Sequence, residues 1–378
     1  MKEPVNITIC LVMALWMSCK TATAPQAAEC GAGFLPCEDN ITECCEVICP
    51  ELHHHCGDFL TECCLDTTSH NFSFETFTFG GEPGTGSSAF YDVAIIDENN
   101  IWAVGEISMD SGLYGAAVWN GKECQLKQLM AGASNVRPRG IFAFSADNIW
   151  FASGSIYHWD GESVTLVWSR DISTTETIEK VWGSSPEDVW FVGSGGSIVH
   201  YDGSGFTRME SGTELNIYDI WGGYNAAGGD WEILCVGSNF MSDQPFQRVI
   251  LKIENQIVRE LSSRPVGYTL HSVWYTPGST YFVAGSGIWH KASLQAVDWQ
   301  LVSLQGYYIH KIRGSALNNI VAVGGYFEIL HYNGLNWQRL DPGLPRTGNF
   351  KAISMKDELV VAVGLDSRFA YIWKGQKL

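Results

Sequence analysis

One short pattern occurs seven times in the chain: an apolar, β-branched and aromatic run closed by glycine or serine. It reads IWAVG to Gly105, IWFAS to Ser153, VWFVG to Gly193, ILCVG to Gly237, YFVAG to Gly285, IVAVG to Gly324 and LVVAVG to Gly364. Spacings of roughly 40 to 50 residues match one four-stranded propeller blade. The copy over residues 179–213 shows the whole unit, with strand-like KVWGS, DVWFVG, SIVHY and FTRME separated by the turn formers SPED, GSGG and DGSG. Four short antiparallel strands cannot cover both faces of their sheet, so the unit requires stacked copies. No long stretch carries a 3.6-residue apolar period, which argues against a helical solenoid. The expected fold is all-β: a seven-bladed β-propeller of four-stranded antiparallel blades over residues 71–378.

The ends of that region constrain how the ring closes. The last copy offers KAISM, ELVVAVG and FAYIWKG and then reaches Leu378 without a fourth strand, whereas NFSFETFTF over residues 71–79 alternates like a strand and precedes the first copy. An unpaired edge in the last blade would leave the ring open, so this N-terminal segment is expected to complete it. Residues 80–88, GGEPGTGSS, then form the connection into blade 1.

Residues 1–18 hold one early lysine and the apolar run ITICLVMALWM, too short to span a bilayer and suited to a signal peptide. The chain is therefore expected to be exported. Met17-Ser18-Cys19 resembles a bacterial lipobox, except that Trp16 stands where leucine is usual. That resemblance implies lipidation at Cys19, a tether over 19–29, and an outer-membrane or cell-surface lipoprotein. Ala22-Thr23-Ala24 fits an ordinary cleavage site followed by Pro25, so a secreted or periplasmic protein is the other reading.

Residues 30–66 contain a tandem cysteine repeat: Cys30, Cys37, Cys44 and Cys45 recur 19 residues on as Cys49, Cys56, Cys63 and Cys64. In an exported chain this even count reads as disulfides, with connectivity open. The rival reading is a metal site using His53, His54 and His55; the first copy lacks histidine, so no metal is assigned.

Strand order locates a binding surface. Connections after second and fourth strands leave a blade on one face, and the long segments 106–115, 131–138, 169–178 and 238–247 all belong there; only 222–230 enlarges the other face. Tyr114, Arg137, Met241 and Phe246 are the candidate anchors on the loop-rich face. Near the starts of the first strands, which line the channel, stand Arg139, Lys180, Asp219, His271, His310, Lys311 and Lys351. Of these Arg139, Lys180, Lys311 and Lys351 are candidates for holding an anion, although pairing with Glu179 or Asp219 accounts for them equally well. His158, His200, His290 and His331 recur at one repeat position. Equivalent positions in different blades are spread around a ring, so these read as packing and hydrogen-bonding groups. Cys124 and Cys235 lie in apolar strands and read as inert.

Motifs such as VWGSSPEDVWFVGSGGSIVHYDG resemble the repeats of exported bacterial propeller proteins, many of them lipoproteins. The resemblance covers roughly residues 71–378 and supplies no catalytic residues. Asp-boxes, regular GH…WD pairs and calcium loops are absent from the sequence. A formal charge of −18 without a basic stripe argues against nucleic acid. The expected function is a non-enzymatic cell-envelope or secreted scaffold that binds protein or glycan through its loop-rich face. It needs no cofactor, and membrane contact is by lipid anchor only. The alternative is a carbohydrate-active enzyme, hydrolase, lyase or glycosyl transferase, drawing carboxylates over the channel from Asp92, Glu106, Asp110, Asp219 and Asp243.

Overall fold

Short alternating strands and side-chain-capped turns build seven four-stranded antiparallel sheets in the computed structural model. It describes residues 34–36, 44–46, 53–56, 59–81, 86–226, 228–239, 245–302 and 308–378. Asp202 illustrates the turns: its Oδ1 accepts the amides of Ser204 and Gly205 (both 2.9 Å), while Gly203 takes a φ of +85° that a larger residue would resist. The same cap recurs at Asn120, Asp160 and Asn333, between third and fourth strands. This explains the repeated WNG, WDG, YDG and YNG of the sequence.

The innermost strands are Ala89–Asp97, Gly140–Ser145, Ile178–Ser185, Asn216–Asn225, Leu270–Tyr275, Ile309–Ala316 and Asn349–Lys356, one per blade and each beside the next around the channel. Apolar burial is not gathered in one centre. It divides into seven layers, each wedged between adjacent blades, such as Trp150, Phe191 and Val199 between blades 2 and 3. Every second strand faces such a layer on both sides, which is why the marker runs are continuously apolar.

Blade 7 is completed as the sequence indicates. Phe72–Gly80 runs antiparallel to Phe369–Lys377 with nine paired residues, from Phe72 opposite Lys377 to Gly80 opposite Phe369. Phe77 and Phe79 pack into the layer between blades 7 and 1. Just upstream, Thr68 is fixed to blade 6 by its amide to Asn333 O (2.9 Å) and its hydroxyl to Asn318 O (2.7 Å).

Two of the segments read as irregular are regular. Residues 106–115 continue a hairpin, with Ile107 opposite Tyr114 and Met109 opposite Gly112, and 222–230 likewise lengthen the hairpin of blade 4 to Asn225 opposite Asp230. Alternating side chains such as EISM carry each ladder past the usual turn. Residues 131–138 contribute to a small hairpin, Leu129–Ala131 with Ser134–Val136.

Residues 1–66 form a separate unit. Within it, Phe34–Pro36 pairs with Cys44–Glu46, and His53–Cys56 pairs with Phe59–Leu65. Residues 1–29, with Cys19, Cys30, Cys37 and Cys49, lie outside the described residues, as do the side chains of Cys44, Cys45, Cys56, Cys63 and Cys64. The lipidation and disulfide expectations therefore fall outside them too. Cys124 and Cys235 are free thiols, and burial pushes both upward in pKa, Cys124 to about 11. Such thiols are poor nucleophiles.

Candidate binding site at the channel mouth

Each innermost strand starts with one residue more than its partner strand can pair. In blade 1, Phe90 and Asp92 face Gly105 and Val104, so Tyr91 is left over. The same slip leaves out Glu179, Tyr218, His271, His310 and Lys351. In blade 2 Arg139 donates its amide to Ala152 O (2.7 Å), although Ala152 is already paired with Gly140. A bulge of this kind bends the strand and re-aims a side chain. All seven bulge residues, one per blade, line a single cavity of about 400 Å³ at the channel mouth.

The marker glycines make these bulges possible. A Cβ on Gly193 would stand 1.7 Å from Thr177 O, and one on Gly237 would stand 2.5 Å from Asn216 O. The incoming strand thus approaches where only a bare backbone leaves room. Blade 2 has Ser153 here, and its hydroxyl donates to Arg137 O (2.9 Å).

One residue further along, side chains stitch the blades together, since innermost strands of adjacent blades share no backbone ladder. Asp92 Oδ2 accepts from the Ile141 amide (3.0 Å) and from Lys180 Nζ (2.5 Å). Asp219, fully buried, accepts from the Val273 amide (3.1 Å), Ser272 Oγ (2.6 Å), Lys311 Nζ (2.8 Å) and both terminal nitrogens of Arg313 (2.8 and 2.9 Å). Ser272 Oγ in turn accepts the Ile312 amide (3.1 Å). Burial alone would raise the Asp219 carboxyl, but Arg313 and Lys311 hold it far below the usual carboxylate range. Beyond this layer a second cavity of about 200 Å³, lined in part by Asp92, Trp221 and Arg313, continues the channel.

The imidazoles at the mouth are neutral. Burial, with Lys311, pushes His271 down to about 4; burial, with His271, pushes His310 to about 2. His271 Nδ1 donates to the carbonyl oxygen of His310 (2.9 Å), leaving Nε2 as an acceptor, and its ring stacks on Tyr218 at 4.5 Å. Arg139 lies over the ring of Tyr91 at 4.9 Å. Lys351 is half-buried, and its pKa is lowered by burial.

Arg139, Lys180, Lys311 and Lys351 all line the mouth cavity. Lys180 and Lys311 are also ion-paired, to Asp92 and Asp219, as the pairing reading anticipates for one of them. The outer anchors do not gather with them. Tyr114 sits on a strand, Gly112–Trp119, half-buried with its hydroxyl donating to Ser111 Oγ (3.0 Å), not on a loop. The exposed Arg137 pairs with Glu106 (3.1 Å) beside a depression of about 350 Å³ that shares Tyr91 and Arg139 with the mouth. Phe246 packs on Tyr268 and borders a third depression, about 660 Å³, on the same face. Met241 and Asp243 lie outside the described residues. Of the carboxylates proposed for catalysis, Asp92 and Asp219 are buried against cations, Glu106 is engaged by Arg137, and Asp110 stands in the turn of the blade 1 hairpin; the carboxylate that lines the mouth is Glu179, which was not among them. Sequence reasoning missed Tyr91, Tyr218 and Arg313.

Three of the four recurrent histidines bond within their own blades. His158 Nε2 meets Asn148 Oδ1 (3.0 Å), His200 Nε2 meets Asp188 Oδ1 (2.7 Å), and His331 Nε2 meets Asn319 Oδ1 (3.0 Å). Each tethers a third strand to the start of the second, and His200 also stacks on Trp190 at 3.9 Å.

The sequence matches no protein-family model and no curated protein. The fold does have solved counterparts. It is similar to YCF48 bound to D1 peptide, with a TM-score of 0.61 at 15% identity over 82% of this chain and 99% of that one. It is also similar to YCF48 from Cyanidioschyzon merolae, with a TM-score of 0.56 at 13% identity over 79% of this chain and 98% of that one. The WD40 propeller domain of Doa1 gives 0.56 at 11% identity, over 79% and 97%. This protein is a seven-bladed β-propeller. At such identities the likeness establishes the fold alone.

The neutral histidines carry a pH signature. His271, His310 and His331, the last pushed to about 3 by burial and then His70, sit well below the unfolded value of 6.5. A lowered folded pKa means stability that is complete above about pH 6.5 and is lost as pH falls toward the folded values. The melting temperature is therefore expected to drop between pH 7 and pH 5, before most carboxylates titrate, and His271→Gln with His331→Gln should flatten the profile. Calorimetry showing the same melting temperature at pH 7 and pH 5 would contradict this.

Proposed function

We propose that this protein is a non-enzymatic binding scaffold whose partner is a protein docked on the face that carries the channel mouth. The observation that carries the reading is the convergence of seven bulge side chains, one from every blade, on one cavity. That cavity is flanked on the same face by the depressions at Arg137 and Phe246. Bulges persist where a side chain must be re-aimed, and a rigid ring presenting polar and aromatic groups suits recognition. The peptide in the YCF48 structure supports a protein ligand rather than a glycan. An envelope setting rests on the sequence alone, on the apolar run within residues 1–18 and on Cys19.

Arg139→Glu combined with Phe246→Ala changes all three depressions at exposed or half-buried positions, since Arg139 lines both the mouth and the depression at Arg137. Cross-linked partners identified from cell extract by mass spectrometry should fall at least about tenfold relative to wild type, since true hot spots contribute about 2 kcal/mol or more each. Tyr224→Ser, on the opposite face and 55% exposed, should leave them unchanged. Loss of the same partners in Tyr224→Ser but not in the double variant would assign binding to the other face.

A further inference from the structure

Around the mouth, blades 7, 1, 2 and 3 contribute Lys351, Tyr91, Arg139, Glu179 and Lys180, and blades 4 to 6 contribute Tyr218, His271, His310 and Lys311. Counting the layer beneath, five cations (Arg139, Lys180, Lys311, Arg313, Lys351) meet three carboxylates (Glu179, Asp92, Asp219) in a protein of net charge −18. The surplus is local and built against the overall charge.

Two polar groups around this cavity lack partners among the described residues. Lys351 has no carboxylate within ion-pair reach, and His310 Nδ1 is buried without a hydrogen bond. His310 Nδ1 is closed off from the cavity, whereas Lys351 lines it half-buried, where a bound anion would supply the pairing that it lacks. The exposed Arg139 guanidinium is held on Tyr91 and presents a fork suited to an oxyanion. Opposite, the Tyr218–His271 stack offers apolar ring surface.

We propose that the channel mouth binds a ligand bearing an oxyanion, carboxylate or phosphate, beside a flat ring. The oxyanion sits between Arg139 and Lys351, and the ring lies against Tyr218 and His271. A cavity of about 400 Å³ takes such a group whole. The group comes either from a free small molecule or from a side chain of the docked protein. This proposal rests on the reading of the face given above and specifies what its centre recognises.

Calorimetric titration of the full-length protein with phenyl phosphate, benzoate, inorganic phosphate and phenol, at constant ionic strength, tests it. Phenyl phosphate or benzoate should bind saturably at one site and more tightly than phosphate or phenol. Arg139→Gln with Lys351→Gln should weaken this at least about tenfold, the scale of one lost charge-assisted hydrogen bond. Lys122→Gln with Arg259→Gln, an equal charge change elsewhere, should not. Tyr218→Ala should remove the advantage of the ring-bearing anions over phosphate. Competition by phenyl phosphate against partner cross-linking identifies a side-chain source; tight binding without competition identifies a free small molecule. No saturable binding, or equal weakening in both double variants, overturns the proposal. The docking face itself would survive that outcome if Arg139→Glu with Phe246→Ala still lost its partners.

Discussion

Deletion of Phe72–Gly80 is expected to abolish the single cooperative unfolding transition and to drive the protein into aggregates. The strand supplies the whole outer edge of blade 7 through nine paired residues, and without it Phe369–Lys377 presents an open ladder. It also carries Phe77 and Phe79 into the blade 7–blade 1 layer, where they meet Trp119 at 5.5 Å and Phe90 at 5.6 Å. Burial of each partly enclosed ring contributes about 2 kcal/mol, so loss of both is a large share of the roughly 5–15 kcal/mol that a domain commands. Opening the ring further exposes Ala352, Val361 and Val363 of the same layer. Analytical ultracentrifugation and scanning calorimetry check this, and a monomer melting at the wild-type temperature would refute closure by this strand. Phe77→Ser with Phe79→Ser is the milder form, expected to lower the melting temperature while leaving the backbone ladder in place.

Asp219→Asn is expected to destabilise the protein by about 3–5 kcal/mol, because it leaves two buried cations facing a neutral amide. Lys311 and Arg313 both bond this carboxylate, and the Val273 amide and Ser272 hydroxyl donate to it as well. Asparagine can still accept from one of these donors but cannot balance the charge. Urea unfolding measures the loss. Adding Lys311→Met should restore part of it, since an apolar side chain of similar volume removes one stranded charge. A single variant within about 0.5 kcal/mol of wild type would mean that the cluster is not what fixes blades 4, 5 and 6 to one another.

The fold was legible because every blade repeats its apolar run and four of them repeat the same turn chemistry. Phe72–Gly80 could be assigned by what the last copy lacked. The mouth was only partly legible. Counting back fourteen positions from the marker residue lands on Tyr91, Arg139, Glu179, His271 and His310, from Gly105, Ser153, Gly193, Gly285 and Gly324 respectively. Blade 4 breaks the count because its hairpin is longer, so Tyr218 lies nineteen before Gly237, and Lys351 lies thirteen before Gly364. The charged members stood out by type, whereas the tyrosines resembled ordinary strand residues. A bulge, not a motif, turns them inward, and its trace in sequence is the glycine that leaves it room. Arg313 escaped notice because its role depends on Asp219, 94 positions away and two blades distant. Tyr114 was misplaced for a related reason: EISMDSGLYG holds a two-residue turn that continues a ladder, so its side chain is set by the strand.

The most direct test of the mouth as the recognition centre is a crystal structure of the protein grown with excess phenyl phosphate. The phosphate is expected to be bound by Arg139 and Lys351, with the phenyl ring on the Tyr218–His271 stack. Phenyl phosphate bound elsewhere with the mouth free of it, or Arg139 and Lys351 turned away from the channel, would contradict the account.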